Sequence, residues 1–204
     1  MVTSKTLEQR GAREIEIIRS TYRMMARLGS HRLTLVDVAA EAGVSKALVL
    51  YHFGTKHALL HTTMQWALER TADRIRRRLE PGMTGADAMT ALIDAVFLDA
   101  EANRDFFLFY LDLVEYAARV PEFGELFSML TEIINGLYTE VIEAGVRDGS
   151  FLVTDPQLAA RHMRSLIEGT FLQWMQTDDW RVNHHVWRDA CRAAILALLG
   201  TSTA

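Results

Sequence analysis

Hydrophobic residues recur every three or four positions along almost the whole chain, and the strict alternation that marks β-strands is nearly absent. The first run with this spacing consists of Ile15, Ile18, Tyr22 and Met25. Gly29 follows as a stop signal, because glycine readily ends a helix. The pattern predicts an all-α fold whose first helix ends near residue 29.

A short second helix is predicted over about Leu35–Ala42. Thr34 stands three residues ahead of Asp37, a variant of the capping box in which the threonine oxygen accepts from free amides at the helix start. The acid then lies near the positive end of the helix dipole. Gly43 interrupts the helical pattern, so a turn is expected there.

A third helix is predicted over Lys46–Phe53, with Ser45 as its cap. Because each residue turns a helix by about 100°, Val49 and Phe53 share one face and are expected to pack in a core. The other positions face outward or sideways: Lys46, Ala47, Leu48, Leu50, Tyr51 and His52. An exposed aromatic ring beside cations and small apolar groups suits the DNA major groove, where base edges, methyl groups and phosphates need partners.

A longer helix is expected from Lys56 to about Leu79, where Pro81 and Gly82 stop it. Turn signals separate the later helices. These are expected near residues 85–102, 104–118, 122–147, 156–176 and 184–199, with the His184-His185 pair ahead of the last one.

Charge is distributed unevenly along the 204 residues, whose net charge is −4. Residues 1–57 contain nine Lys and Arg against five Asp and Glu, a balance of +4, so the remainder carries −8. This asymmetry suggests that the N-terminal part binds a polyanion and is joined to an acidic remainder.

Other features bound the class of protein. No stretch approaches the roughly 20 apolar residues of a membrane span, and the polar N-terminus lacks the apolar segment of a signal peptide. A cytoplasmic protein with no membrane partner is expected. The single cysteine, Cys191, lies in an apolar helical stretch and is expected to be buried and unreactive.

The segment from Thr34 to Lys46 (TLVDVAAEAGVSK), the segment 51–56 (YHFGTK) and Leu59-Leu60 resemble the N-terminal signature of the tetracycline-repressor (TetR) family. The resemblance runs over roughly residues 10–60. It implies a helix-turn-helix in which Ser45 leads the recognition helix. It further implies phosphate contacts by Thr34, Tyr51, His52 and Lys56, and base-edge contacts by Lys46 and Ala47.

The chain departs from the family signature at two positions. Leu50 stands where the family usually has an aromatic residue, so an apolar contact, such as one on a thymine methyl group, has to replace it. His57 stands where an acid is common. A histidine thus replaces the usual acidic charge in the first turn of the fourth helix.

The resemblance implies a three-helix DNA-binding domain over residues 10–57 and a ligand-sensing, dimerising helical bundle over residues 58–200. The expected function is transcriptional regulation: a repressor released from palindromic double-stranded operator DNA when an unknown small-molecule effector binds. The last two helices, with Gly169 allowing close approach, resemble the dimerisation pair of the family. Activation instead of repression remains open, as does the number of dimers on each operator.

An aromatic-rich segment in the body suggests where an effector binds, since pockets between bundle helices are lined mainly by apolar and aromatic side chains. The candidate residues are Phe97, Phe106, Phe109, Tyr110, Met129, Ile133 and Trp174. The alternative interpretation is that these residues are ordinary core.

Enzyme chemistry has little support in the sequence. His57 and His61 have the four-residue spacing of metal ligands, but they lack the glutamate of HExxH and an evident third ligand. No Gly-rich phosphate loop, nucleophile elbow or CxxC occurs. We therefore expect no catalytic residue, metal or cofactor. The alternatives are a helical enzyme and a helix-turn-helix module that serves recombination or assembly, and DNA footprinting would distinguish them.

Overall fold

A computed structural model describes residues 10–200, which form nine α-helices and no β-strand. In chain order the helices are α1 Ala12–Leu28, α2 Leu35–Glu41, α3 Lys46–Phe53, α4 Lys56–Arg76, α5 Gly85–Val96, α6 Ala100–Arg119, α7 Pro121–Arg147, α8 Pro156–Trp174 and α9 Trp180–Leu199. The predicted all-α fold is confirmed. Among the described helices, none is long and apolar enough to cross a membrane.

The helices divide into two compact units that are not consecutive in sequence. The first comprises residues up to Glu69 together with Asp105–Phe127, and the second comprises Arg70–Arg104 together with residues from Ser128 onward. Helices α4, α6 and α7 each contribute residues to both units. The predicted helix-turn-helix therefore folds with most of α6, from Asp105 onward, and the start of α7.

The core of the first unit is built from the apolar faces of its helices. Ile17 and Ile18 of α1 and Val49 of α3 are fully buried. Phe109 of α6 is also fully buried, and its ring lies 5.0 Å from that of Tyr22. The helical spacing that predicted α1 and α3 thus corresponds to buried faces.

In the second unit, α8 packs against α9 through residues spaced by four. Met163, Ile167 and Phe171 are the buried set on α8. Cys191, Ile195 and Leu199 are the buried set on α9. The expectation that Cys191 is buried is confirmed, and burial raises the pKa of its thiol, so the protonated, unreactive form is favoured.

The break between α5 and α6 lies earlier than the sequence indicated. A helix over 85–102 was expected, but α5 ends at Val96, and Phe97 leaves the helical conformation with ψ of 86°. Asp99 then caps α6, because its carboxylate accepts from the Ala102 amide at 2.8 Å. The buried Asn103 side chain donates to the carbonyl of Val96 at 2.9 Å and so satisfies a group that the break exposes.

The last helix begins earlier than expected, at Trp180 instead of residue 184. His184 therefore lies inside α9 and is buried, and its Nε2 lies 2.9 Å from the side-chain oxygen of Asn103. His185 is exposed. The sequence interpretation of a polar pair ahead of the helix was wrong, because a distant asparagine satisfies one of the two histidines.

Two other helix ends differ by two or three residues from the expected bounds. Helix α4 ends at Arg76, and the Leu79 amide then donates to the Arg76 carbonyl in a tighter turn. Helix α8 ends at Trp174 and is likewise followed by a tight turn. Such tightening is common at helix ends, where the usual backbone partners run out.

Candidate functional site

The start of α2 is fixed by reciprocal hydrogen bonds. The Thr34 hydroxyl oxygen accepts from the Asp37 amide at 3.2 Å, and the Asp37 carboxylate accepts from the Thr34 amide at 3.1 Å. This is the predicted capping box, with the aspartate in the position of the usual glutamate. It holds Thr34 at the exposed N-terminus of the helix.

The turn between α2 and α3 depends on Gly43, whose φ of +63° is strained for residues with a side chain. The Val44 amide donates across this turn to the carbonyl of Ala39 at 2.9 Å. Ser45 then caps α3 by accepting from the Leu48 amide at 3.2 Å. The two helices thus form a helix-turn-helix, in which α3 has the predicted bounds and α2 ends one residue before the predicted end.

Helix α3 has one buried face and one exposed face. Val49 is fully buried and Phe53 is 9% exposed, whereas Tyr51 is 82% exposed. The remaining exposed positions of the helix are Lys46, Ala47 and Leu50, and His52 is half-buried with its ring centroid 5.3 Å from that of Tyr51. The predicted division of α3 into a core face and an outward face is confirmed.

Charges around the helix-turn-helix are partly paired. Glu41 of α2 lies 3.5 Å from both Arg23 and Arg27 of α1, which joins the two helices. Within the described range, neither Lys46 nor Lys56 makes an ion pair. The cations beside the exposed face of α3 are therefore available to an anionic partner.

Helix α4 begins close to this face. Gly54, with φ of +71°, ends α3, and the Thr55 hydroxyl accepts from the Ala58 amide at 3.0 Å. Lys56 follows as the first residue of α4. A lysine at the positive end of a helix dipole is a favourable place for a phosphate.

The sequence resemblance implies that Tyr51 contacts DNA, so we expect Tyr51→Ala to weaken DNA binding by about tenfold, the loss of a contact worth roughly 1.4 kcal/mol. The free energy of unfolding should barely change, since the ring is largely exposed. Phe53→Ala, on the opposite face, is the contrasting variant and should cost about 3–5 kcal/mol of stability. Urea unfolding and DNA titration measure both quantities; a large stability loss in Tyr51→Ala would place the ring in the core.

The candidate effector residues on α6 lie in the first unit. Phe109 is fully buried, whereas Phe106 and Tyr110 are half-buried. The rings of Phe106 and Tyr110 are nearly parallel, with centroids 6.2 Å apart. The structure thus brings these three side chains together along one stretch of α6.

Two further candidates share an aromatic cluster in the second unit. The ring of Phe97 stacks on that of Phe171 at 4.5 Å, and Phe171 lies 5.9 Å from Trp174. His184 lies against Trp174 at 5.0 Å, and burial followed by the charge of Arg188 lowers the pKa of this imidazole. The neutral form of His184 is therefore favoured inside the cluster.

The last two candidates are Ile133 and Met129 on α7. Ile133 lines an open pocket of about 430 Å³, whereas Met129 is 51% exposed. The pocket is also lined by Arg76, Leu79, Glu132, Gly136, Leu137 and Glu140. The sequence analysis did not identify these six residues. Glu132, Gly136 and Glu140 recur every four positions and so share one helix face, which could have indicated them.

In the described part of the chain, one group of side chains has the spacing of metal ligands: His31, Asp112 and Glu115, whose ligand atoms lie within 4.8 Å of one another. These groups also have protein partners, since Asp112 accepts from Ser30 and Glu115 lies 3.4 Å from Arg119. The group is therefore satisfied without an ion.

His57 and His61, which have the spacing of metal ligands, instead contact an aromatic ring. Both rings contact the ring of Phe123 at steep interplanar angles, with centroid distances of 4.9 Å and 5.4 Å. Burial and then the neighbouring His57 lower the pKa of His61, while Glu122 raises it. The two histidines are aromatic contacts of α7.

Two family models match this chain. The model of bacterial regulatory proteins of the tetR family matches residues 17–63, which contain α2 and α3. The model of the C-terminal part of BetI-type transcriptional repressors matches residues 85–200, more than half of the chain.

Individual relatives agree with these matches. The transcriptional repressor KstR2 of Rhodococcus jostii (strain RHA1) is 26% identical over 156 residues, 76% of each chain. The transcriptional regulator BetI of Stenotrophomonas maltophilia (strain R551-3) is 26% identical over 164 residues, which cover 79% of this chain and 80% of that protein. These relatives are named as regulators of transcription and not as enzymes.

A solved structure supports the fold. It is a transcriptional regulator from Saccharomonospora viridis in complex with choline, with a TM-score of 0.80 and 20% identity. The similarity covers 93% of this chain and 96% of that one. At this identity the similarity bears on the fold alone.

Proposed function

Since this chain belongs to the TetR family of bacterial regulatory proteins, we propose that it is a repressor that leaves a palindromic operator when a small molecule binds its C-terminal part. The proposed DNA-binding domain spans residues 10–57, and the proposed ligand-sensing and dimerisation domain spans residues 58–200. The observation that carries the proposal is the exposed face of α3, presented outward by a helix that is capped at its start and buried on its other side.

The proposed DNA contacts are of two kinds: phosphate contacts position the protein, and base-edge contacts recognise the sequence. Thr34, Tyr51, His52 and Lys56 contact phosphates, which fixes the orientation of α3 in the major groove. Ser45 leads that helix, and Lys46, Ala47 and Leu50 lie against base edges. Leu50, 38% exposed, is of suitable size and polarity for a thymine methyl group.

We expect Lys56→Ala to weaken binding to the operator and to unrelated duplexes by similar factors. The slope of log affinity against log salt concentration should become shallower by about one unit, because one phosphate contact is lost. Arg78→Ala is the control, since it removes an exposed cation from outside the proposed interface. Equal salt slopes in wild type and Lys56→Ala would exclude the phosphate role.

Homodimerisation is proposed through α8 and α9, whose outward faces differ from an ordinary solvated surface. Along α9, the exposed apolar positions recur at helical spacing: Val182, Val186, Ala190, Ala193 and Ala197. Val182 is 74% exposed and Val186 is 56% exposed. Along α8, Leu158 and Leu172 are exposed on either side of Gly169. Such a stripe is suited to a second copy of the chain, which would form a four-helix bundle about a two-fold axis.

The effector is proposed to be apolar or amphipathic and to bind among the aromatic residues of the body. The candidate residues are Phe106, Phe109 and Tyr110 in the first compact unit, and Phe97, Met129, Ile133 and Trp174 in the second. Support for one part of this set is that Ile133 lines a pocket of about 430 Å³, within the size range of ligand sites.

Release is proposed to depend on α4, which contributes residues to both compact units. A ligand that binds one orientation of α4 more tightly shifts the population towards that orientation. The separation of the two recognition helices would then no longer match half-sites about one helical turn, or a multiple of it, apart.

Sequencing of the genomic fragments that the purified protein captures, followed by footprinting, tests the proposal. Protected palindromes in promoters are the expected result, and release of these duplexes is then measured against choline and a panel of apolar and amphipathic compounds. Protection confined to recombination or assembly sites would favour a helix-turn-helix module with another role, and absence of any protected site would overturn the proposal.

A further inference from the structure

Asp112 of α6 holds the turn that precedes the helix-turn-helix. The backbone amide and the hydroxyl of Ser30 both donate to this carboxylate at 2.8 Å, one to each oxygen. The two residues are 82 positions apart, and Ser30 is fully buried. Hydrogen bonds to an ionised acceptor are roughly twice as strong as neutral ones, so this pair strongly restricts the turn.

The restricted turn lies directly ahead of the proposed DNA interface. Ser30 is four residues before Thr34, the N-cap of α2, and the intervening Leu33 is 1% exposed. Little freedom remains between a buried serine and a buried leucine. The position of Ser30 therefore restrains the chain that leads into α2.

Glu115 and Tyr116, in the next turn of α6, contact His31, the residue that follows Ser30. The ring of His31 stacks on Tyr116 at 5.5 Å, and its Nε2 lies 3.5 Å from the Glu115 carboxylate. This contact is more exposed than the serine pair, since the side chain of His31 is 64% exposed. It supports the same turn from its outer side.

Contacts of Tyr116 also connect α6 to the residues that follow α3. Tyr116 lies 5.0 Å from the ring of Phe123 on α7, and Phe123 is fully buried. The rings of His57 and His61, in the first turns of α4, contact that of Phe123. The segment Asp112–Phe123 thus contacts the chain both before α2 and after α3, and all these residues belong to one compact unit.

We propose that Asp112 is a positioning residue for DNA recognition. It contacts no DNA itself, but it orients the helix-turn-helix by binding Ser30. The proposal rests on the proposed function of the chain as a DNA-binding regulator. It adds that a carboxylate in α6, outside the recognised DNA-binding motif, sets the affinity of that motif.

The test uses the full-length protein with Asp112→Asn, which keeps the size of the side chain but replaces one acceptor oxygen with a donor. Glu125→Gln is the matched control, because it removes an exposed carboxylate from the same compact unit. Affinity is measured for the duplex that wild type selects from a random-sequence pool. Hydrogen exchange of the amides over residues 30–33 and the urea midpoint are measured on the free proteins.

We expect Asp112→Asn to bind this duplex roughly tenfold more weakly or worse under conditions where it is fully folded, and its Ser30 amide to exchange about tenfold faster. Glu125→Gln should match wild type in duplex affinity and in the exchange rate of the Ser30 amide. Ser30→Ala should also bind more weakly, and adding it to Asp112→Asn should cost less than the sum of the single effects, because the two residues share hydrogen bonds.

The outcomes separate this proposal from the function on which it rests. A folded Asp112→Asn with wild-type affinity overturns the positioning role, and so does a lower urea midpoint without a change in affinity, which would mean a purely structural role. If wild type selects no duplex, the proposed function fails and the DNA-positioning role fails with it, even if faster exchange at Ser30 still shows that Asp112 restricts the turn.

Discussion

A Gly169→Leu variant is expected to sediment as a monomer and to bind operator DNA about a hundredfold or more weaker than wild type. In a dimer, the DNA-binding domain of the second subunit is tethered close to its half-site and binds at a high effective concentration. Losing the dimer removes this gain in affinity. Gly169 lies on α8 between the exposed Leu158 and Leu172. A leucine there would meet the proposed partner helix where little space is available.

The subunit itself should tolerate this change. A Cβ added at Gly169 meets no atom within 4 Å, so the new side chain points into open space in the single subunit. Replacing a helical glycine also favours the helix by up to about 1 kcal/mol. Loss of dimer with retained helicity would therefore assign the effect to the interface and not to misfolding.

Gly136→Leu is the matched control for this experiment. It is another helical glycine at which an added Cβ meets nothing within 4 Å, but it lies on α7 and lines the pocket. It should remain dimeric, which would show that a new leucine on a helix does not by itself disrupt the dimer. A dimeric Gly169→Leu with unchanged operator affinity would exclude α8 and α9 as the dimer interface and leave the helix-turn-helix assignment intact.

Gly85→Ala is expected to lower the free energy of unfolding by about 3 kcal/mol or more, at the upper end of the range for overpacked cores. An added Cβ would lie 2.1 Å from the Cα of Gly145 and 2.6 Å from its amide nitrogen. Backbone atoms cannot rotate away as a flexible side chain can. Helices α5 and α7 would have to move apart.

The surroundings of this contact leave little room for such movement. The space beside Gly145 is filled by the ring of Phe151, which is 2% exposed. The Asp148 carboxylate accepts from the Gly85 amide at 2.6 Å, and this bond, after one from Ser150, lowers the pKa of Asp148. Separation of the helices would break this bond as well as the packing.

Urea unfolding of Gly85→Ala and of a matched Gly136→Ala measures the effect. The control should be neutral or more stable by up to about 1 kcal/mol, because its added Cβ meets open space and alanine favours a helix. A wild-type midpoint in Gly85→Ala would mean that α5 and α7 do not approach as closely as described.

The sequence alone determined the helix-turn-helix, to within one residue at the end of α2. The physical reason is that its signals are local: caps at Thr34 and Ser45 act within three residues, and Gly43 supplies a backbone conformation that other residues disfavour. The face of α3 that is buried followed from helical rotation between Val49 and Phe53. The family signature occupied the same stretch and implied its function.

Tertiary structure alone decided features that depend on distant partners. The break at Phe97 is stabilised by Asn103, and His184 lies inside α9 because the same asparagine satisfies it. Ser30 gave no signal in the sequence, because its partner Asp112 is 82 residues away. Periodicity reports that a residue faces inward but not which side chain it meets there, so these contacts require the folded chain.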